Sequence, residues 1–232
     1  MSKLLHVETS GMTCSIAVSC EGRIVSEINK KAADPVKFLN LSIQECLSES
    51  GFKLTQIEAV SINTGPGAYT ALRAGLATVK GICVGLNIPL IQINGMRLLV
   101  EVVKSSIANE VQTIIAAKSI RKDDYFVCLF QKDGTLMKEI QSTRIDDTFY
   151  LTHHLKSDNA LIVGTDLNEI YFQIFDNQIF MKSISLLARH QIDLGFSSFN
   201  KGRFDSIQKS VPEYLMDPNI TKAKQKLPNS LN

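Results

Sequence analysis

The stretch Asn63-Thr64-Gly65-Pro66-Gly67-Ala68-Tyr69-Thr70-Ala71-Leu72-Arg73-Ala74-Gly75 constrains this chain more than any other. It follows the apolar run Ile57 to Ile62 and precedes Thr70 to Leu86, a proline-free segment whose large apolar residues have helical spacing. Strand, Gly-Pro-Gly elbow and helix, in that order, put backbone N–H groups and a helix N-terminus at the carboxyl end of a sheet. Such a place suits an anion, and Gly65, Gly67 and Thr70 are the elbow residues that would face it. The plainer alternative is a tight turn that merely starts a helix. No Gly-Lys-Ser/Thr follows, so this is not a Walker A loop, and the third glycine of the dinucleotide fingerprint is missing. Gly67, between Pro66 and the helix start, is expected to take a positive φ that a Cβ disfavours.

With 232 residues and 44% of them hydrophobic, the chain has enough apolar material for one large or two small domains. Its net charge of +2 gives no global reason for a nucleic-acid or membrane partner. The five cysteines (Cys14, Cys20, Cys46, Cys83, Cys128) are odd in number, lie inside apolar runs and form no CxxC. They read as buried thiols in a reducing compartment, not as a disulfide framework or a zinc site. No signal-peptide pattern opens the chain and no apolar stretch is long enough to span a bilayer, so the expected location is the cytoplasm.

In chain order, Lys3 to Glu8, Cys14 to Cys20 and Ile24 to Lys30 are short β-type runs, with Glu21-Gly22 as a hairpin turn. Asp34-Pro35 reads as N-cap and first residue of a helix closed by Gly51, with Val36, Leu39, Ile43 and Leu47 as its buried stripe. A strand (Ile57 to Ile62), a helix (Thr70 to Leu86) and a strand (Leu90 to Ile93) complete a β-β-β-α-β-α-β unit, a five-stranded mixed sheet with helices packed on it. A third helix runs from Gly95 to Val103. Strands at Val111–Ala117, Tyr125–Gln131 and Thr135–Ile140 then repeat the strand-rich opening. A helix (Asp147 to Leu155), a strand (Leu161 to Gly164), a short helix (Leu167 to Phe175), a strand (Ile179 to Ile184) and a last helix (Ser185 to Leu194, capped by Gly195) follow. The halves share a loose plan, so the chain reads as two lobes, 1–103 and a smaller 104–207, with 208–232 rejoining the first and a frayed basic tail from Lys222.

Few side chains stand out for chemistry. His6 lies in a strand and reads as a packed residue; His153 and His154 are adjacent, so on a helix they point about 100° apart and cannot easily share a metal. There is no HxxxH or HExxH pair and no G-x-S-x-G elbow. Glu8, at the end of the first strand before Thr9-Ser10-Gly11, could hold a magnesium ion or a water near phosphates; Asp123-Asp124 sit in a turn and read as solvated.

Two faces of helix 70–86 are legible. Leu72, Leu76, Val79, Cys83 and Leu86 form a bulky stripe, while Ala74, Thr78, Gly81 and Gly85 form a stripe of small residues that would let another helix approach closely. On the preceding helix, Phe38 and Leu41 fall on the side away from the buried stripe, an apolar pair that invites a partner. The competing reading is that the small stripe seats the two helices on each other within one subunit.

The layout resembles one lobe of the actin-like, sugar-kinase and Hsp70-type ATPase fold (RNase H-like). Leu4-Leu5-His6-Val7-Glu8-Thr9-Ser10 looks like its opening strand, usually written with Asp where Glu8 stands. Gly65 to Gly75 is similar to the G-P-G-S-F-T-G-L-R-I-G signature of the TsaB (YeaZ) family. Gly81 to Pro89 and Pro212-Glu213-Tyr214-Leu215 resemble that family's G-L-A-x-x-x-x-x-P stretch and closing P-x-Y-L. The resemblance implies a two-lobed α/β fold with a degenerate second lobe. It implies a non-catalytic subunit, with no cofactor or metal of its own, that binds the catalytic subunit TsaD. The ATPase TsaE would join the complex, which carries threonylcarbamoyl to the adenosine next to the tRNA anticodon. It further implies a homodimer when alone, indirect contact with tRNA and no membrane association. The chain departs from the family at Ala33-Asp34, where a His-Ser pair is common, and at Lys118, where D-A-R-x-x-E-V-Y has its Asp. The alternatives are an ATP-dependent enzyme of the same fold (a small-molecule kinase or a carbamoyl-transfer enzyme) and a glycoprotease-like hydrolase. Residues 100–210 hold no Gly-Gly pair for an adenosine loop, which counts against the former; the missing HxxxH counts against the latter.

Overall fold

Three opening strands with apolar residues facing both ways need cover on two sides, and the fold supplies it from distant parts of the chain. A computed structural model describes residues 1–31, 34–121, 124–144, 160–165, 167 and 179–213. In order these form β1 (Lys3–Glu8), β2 (Thr13–Cys20), β3 (Arg23–Lys31), a 3-10 turn (Pro35–Phe38), α1 (Leu39–Ser50), β4 (Ala59–Gly65), α2 (Tyr69–Leu86), β5 (Leu90–Asn94) and α3 (Gly95–Lys104). There follow β6 (Thr113–Arg121), β7 (Asp124–Gln131), β8 (Leu136–Arg144), β9 (Ala160–Thr165), β10 (Ile179–Ser183), a 3-10 turn (Ala188–Gln191) and α4 (Ile192–Asn200).

The strands make two five-stranded sheets, β3-β2-β1-β4-β5 and β10-β9-β6-β7-β8. In each, the first three strands pair antiparallel and the later two add in parallel beside the first. The second sheet thus repeats the topology of the first. Glu21 (φ 50°) and Gly22 (φ 72°) both lie in the left-handed region, as a two-residue hairpin between right-twisted strands requires.

One face of the first sheet buries Leu5, Val7, Ile16, Val18, Val60 and Ile62 against Leu39, Ile43, Cys46 and Leu47 of α1 and Leu76, Val79 and Cys83 of α2. Each such aliphatic side chain contributes about 1.5–3 kcal/mol by leaving water. The other face is covered by α4, whose Leu194 and Phe199 pack on Leu4, Ala59, Ile91 and Ile93 beside Leu98 of α3. α3 turns its remaining apolar side chains, Met96, Leu99, Val100 and Val103, onto Ile114, Ala116, Cys128, Phe130, Leu161 and Val163 of the second sheet. The helix after the first sheet therefore caps the second, and the helix after the second caps the first. The chain returns to the first sheet by residue 188, earlier than the boundary at 207 read from the sequence. It stays there: Asp205 N–H donates to Leu90 O (2.9 Å) and Glu213 N–H to Thr64 O (2.9 Å).

Several expectations shift. Asp34 does not cap α1; its carboxylate lies 3.5 Å from Lys37 Nζ, and the chain makes a 3-10 turn before α1 begins at Leu39. Val36 is half-buried instead of core. β4 starts at Ala59 and runs through Gly65, because parallel pairing with β5 carries it to the elbow. Gly195 does not end the last helix but lies inside α4. Its missing Cβ would stand 3.1 Å from the His6 ring, so the glycine serves close packing on β1. The helix expected at 147–155, all but Leu167 of the helix expected at 167–175, His153 and His154, Asp123 and the basic tail lie outside the described residues.

Candidate functional site

The carboxyl ends of β1 and β4 meet at a buried polar seam. Glu8 is wholly buried; its carboxylate accepts from Ser10 N–H (2.7 Å), from Asn63 Nδ2 (2.8 Å) and, at 3.5 Å, from Gln191 Nε2. Burial raises its pKa above the usual carboxylate range, while the bonds from Ser10 and Asn63 and the charge of Lys118 oppose that rise. Gln191 Nε2 also donates to Val7 O (2.8 Å), which fixes its amide so that Oε1 accepts from Ser61 Oγ (2.9 Å). Ser61 has one proton and has given it to Gln191, so His6 Nδ1 must donate to Ser61 Oγ (2.7 Å) and Nε2 must accept from Ser19 Oγ (2.8 Å). His6 is thus the neutral Nδ1–H tautomer, and burial depresses its pKa to about 3. The row Ser19, His6, Ser61, Gln191 ties β2, β1, β4 and the 188–191 turn together.

Glu8 was legible as the one carboxylate at a strand end. Its partners were not: Gln191 lies 183 residues away in sequence, and no local pattern announces it.

The elbow is built by close approach. Gly65 has φ 126° and its N–H donates to Asn63 Oδ1 (2.9 Å). Gly67, contrary to expectation, does not have positive φ. Its need for glycine is steric: a Cβ there would sit 2.5 Å from Ser10 O and 2.8 Å from Ser10 Cα. Ala68 N–H donates to that same Ser10 oxygen (3.1 Å), so donors of the elbow are used to bind it to the β1–β2 loop. Thr70 is exposed in the first turn of α2.

Between the two sheets, where Glu8 ends β1, the crevice lined by Ser10, Pro66, Gly95, Lys118 and Thr165 holds only about 10 Å³, room for about one water. Among the described residues no three His, Cys, Asp or Glu side chains converge as a metal site, and no helix is long and apolar enough to cross a membrane.

On the outer side, the small-residue face of α2 is open. Ala74 and Thr78 are half-buried, Gly81 and Gly85 are exposed, and an added Cβ at either glycine would meet nothing within 4 Å. α1 therefore does not sit on this stripe. Leu41 is 48% exposed; Phe38 is half-buried at the start of α1 with Lys30 Nζ 5.8 Å from its ring centre.

The chain is 26% identical over 171 residues to the tRNA threonylcarbamoyladenosine biosynthesis protein TsaB of Haemophilus influenzae, covering 70% of this chain and 71% of that protein. It is 23% identical over 223 residues to the TsaB protein of Escherichia coli, covering 92% and 94%. The solved structure of YeaZ from Pseudomonas aeruginosa superposes with a TM-score of 0.73 at 21% identity, over 93% of this chain and 100% of that one. The fold is thus that of YeaZ, two five-stranded mixed sheets with helices packed on them. The sequence profile described as TsaD, tRNA N6-adenosine threonylcarbamoyltransferase, matches residues 31–222, and with most of its length inside that match the chain belongs to the TsaD family, on its TsaB (YeaZ) side.

Proposed function

We propose that this protein is a non-catalytic subunit in the biosynthesis of tRNA threonylcarbamoyladenosine, acting by docking onto a TsaD-type catalytic subunit. The TsaB relatives and the family match support the pathway. The observation that carries the non-catalytic reading is the state of Glu8: its side chain is wholly buried, and its carboxylate accepts from Ser10, Asn63 and Gln191 within the protein.

The docking surface is the outer face of α1 and α2: Phe38, Leu41, Ala74, Thr78, Gly81 and Gly85. Gly81, exposed inside α2, costs about 1 kcal/mol in helix propensity, and close approach of a partner helix is what compensates. The same face would pair two copies when the chain is alone. TsaE joins the TsaD-bound complex, contact with tRNA is through TsaD, and the site of action is the cytoplasm.

Co-purification with TsaD, together with nucleoside analysis of tRNA from a strain depleted of this protein, tests the reading. Complex formation and loss of threonylcarbamoyladenosine are expected. A depleted strain with normal levels of the modified nucleoside would remove the chain from the pathway.

A further inference from the structure

The two sheets share one topology, so each strand end in the first has a counterpart in the second. The ends of β1 and β4 bring together Glu8 and Asn63, whose amide nitrogen donates to the carboxylate (2.8 Å). The counterparts of β1 and β4 are β6 and β9, which run parallel with Lys118 beside Thr165 as their last matched pair. Residues matched across two strands point to the same side of the sheet, and Lys118 and Thr165 both line the crevice between the sheets.

The two strand ends are not satisfied alike. Glu8 accepts from Ser10, Asn63 and Gln191. Thr165 is only 8% exposed, yet its Oγ1 is shut off from solvent and meets no donor or acceptor among the described residues. A hydroxyl brings one donor and two acceptor sites, and a buried one left without a partner destabilises the fold. What lies against Thr165 is the crevice, with Ser10 of the first lobe, itself 4% exposed, on its other side. Its space of about 10 Å³ matches one water-sized sphere.

We propose that this crevice is a hydration site for one buried water, which bonds Thr165 Oγ1 and bridges it to Ser10 across the two lobes. A buried water is held by two to four polar partners. The hydroxyls of Thr165 and Ser10 supply one each, and the Lys118 side chain beside them carries further donors. Ser10 Oγ accepts from Asn63 Nδ2 (3.1 Å) and keeps a second lone pair for the water. Pro66, Met96 and Leu99 close the apolar sides of the crevice, so the water exchanges slowly with solvent. Ser10 is also the residue whose carbonyl holds the elbow through Ala68 N–H (3.1 Å). The bridge therefore fastens the second sheet to the loop that seats the elbow of the first.

A crystal structure of the full chain that resolves ordered water should show a peak within hydrogen-bond distance of both Thr165 Oγ1 and Ser10 Oγ. In solution, oxygen-17 relaxation dispersion should count one fewer long-lived water in Thr165→Val than in the parent. That substitution exchanges the hydroxyl for a methyl of nearly the same size, and it should lower the folding equilibrium constant about 3- to 10-fold. Ser10→Ala should lower it as well, and the double variant should lose less than the product of the two, because both act on one water. A crevice without the peak, or an unchanged count of long-lived waters in Thr165→Val, would overturn the proposal. So would a Thr165→Val protein as stable as the parent or more so, since its hydroxyl would then have had no partner to lose. Effects that simply multiply in the double variant would overturn the bridge, because each hydroxyl would then be bonded separately.

Discussion

The Cβ that any residue other than glycine would bring to position 67 falls 2.5 Å from the backbone oxygen of Ser10. Both partners are backbone, so neither can swing away. Gly67→Ala is therefore expected to cost about 1–3 kcal/mol by overpacking. Gly81→Ala, where the new methyl meets nothing within 4 Å, should raise stability instead, by about 0.5–1 kcal/mol of helix propensity. Urea midpoints of the two variants, at unchanged m-value, check both signs.

Phe38→Asp combined with Leu41→Asp should leave a folded monomer and abolish both homodimerisation and binding to TsaD. A loss of at least about 100-fold in affinity, about 2.7 kcal/mol, is expected if these side chains lie at the contact. Ala74→Arg should act in the same way by filling the small-residue face. Light scattering gives the mass of each variant, and titration with TsaD gives the affinity; a double variant that binds normally removes this surface from the account.

The buried histidine makes stability depend on pH with a definite sign. His6 titrates near 3 when folded and at an ordinary 6.5 when unfolded, so between those values the unfolded chain holds more protons. Stability is then present above pH 6.5 and lost as pH falls toward 3, with a slope of up to about 1.4 kcal/mol per pH unit. His190, also lowered by burial, adds in the same direction. Glu8, raised by burial, works the other way: the folded state holds its proton more tightly, and stability falls as pH rises through the range above 4.5. His6→Phe should be less stable at neutral pH, since Ser19 and Ser61 lose a partner, yet its unfolding curves should depend less steeply on pH across 3–6.5.

Purified protein should turn over no ATP in the presence of magnesium, because the Glu8 carboxylate is wholly buried and held by Ser10, Asn63 and Gln191. Turnover well above background that disappears in Glu8→Ala would show that the carboxylate works.

What the sequence made legible is the local part. The short β-type run Lys3 to Glu8, the Glu21-Gly22 turn and the glycine after Ser50 placed β1, the hairpin and the end of α1 nearly to the residue, since each signal lies within a few positions of its effect. Two of the misreadings concern glycines whose partners are remote. Gly195 looks like a helix stop until His6, on the first strand, is seen against it. Gly67 looks like a turn glycine until Ser10 is seen under it. Asn63 and Gln191 carry no local mark at all, because their role is to satisfy a carboxylate brought to them by the folding of the sheet. The face of α2 was readable as a stripe; that it is open was not, since only the position of α1 decides it.

The exchange of α3 and α4 between the sheets has a consequence for how the molecule comes apart. Each lobe lacks a wall of its own core until the other half of the chain delivers it: Met96, Leu99 and Val103 for the second sheet, Leu194 and Phe199 for the first. Fragments cut in the 105–112 connection would each carry a terminal helix with no sheet to lie on and a sheet with the face that helix exchange covers left open. Such fragments should be poorly ordered apart and should regain structure when mixed, and the intact chain should melt in a single transition instead of lobe by lobe.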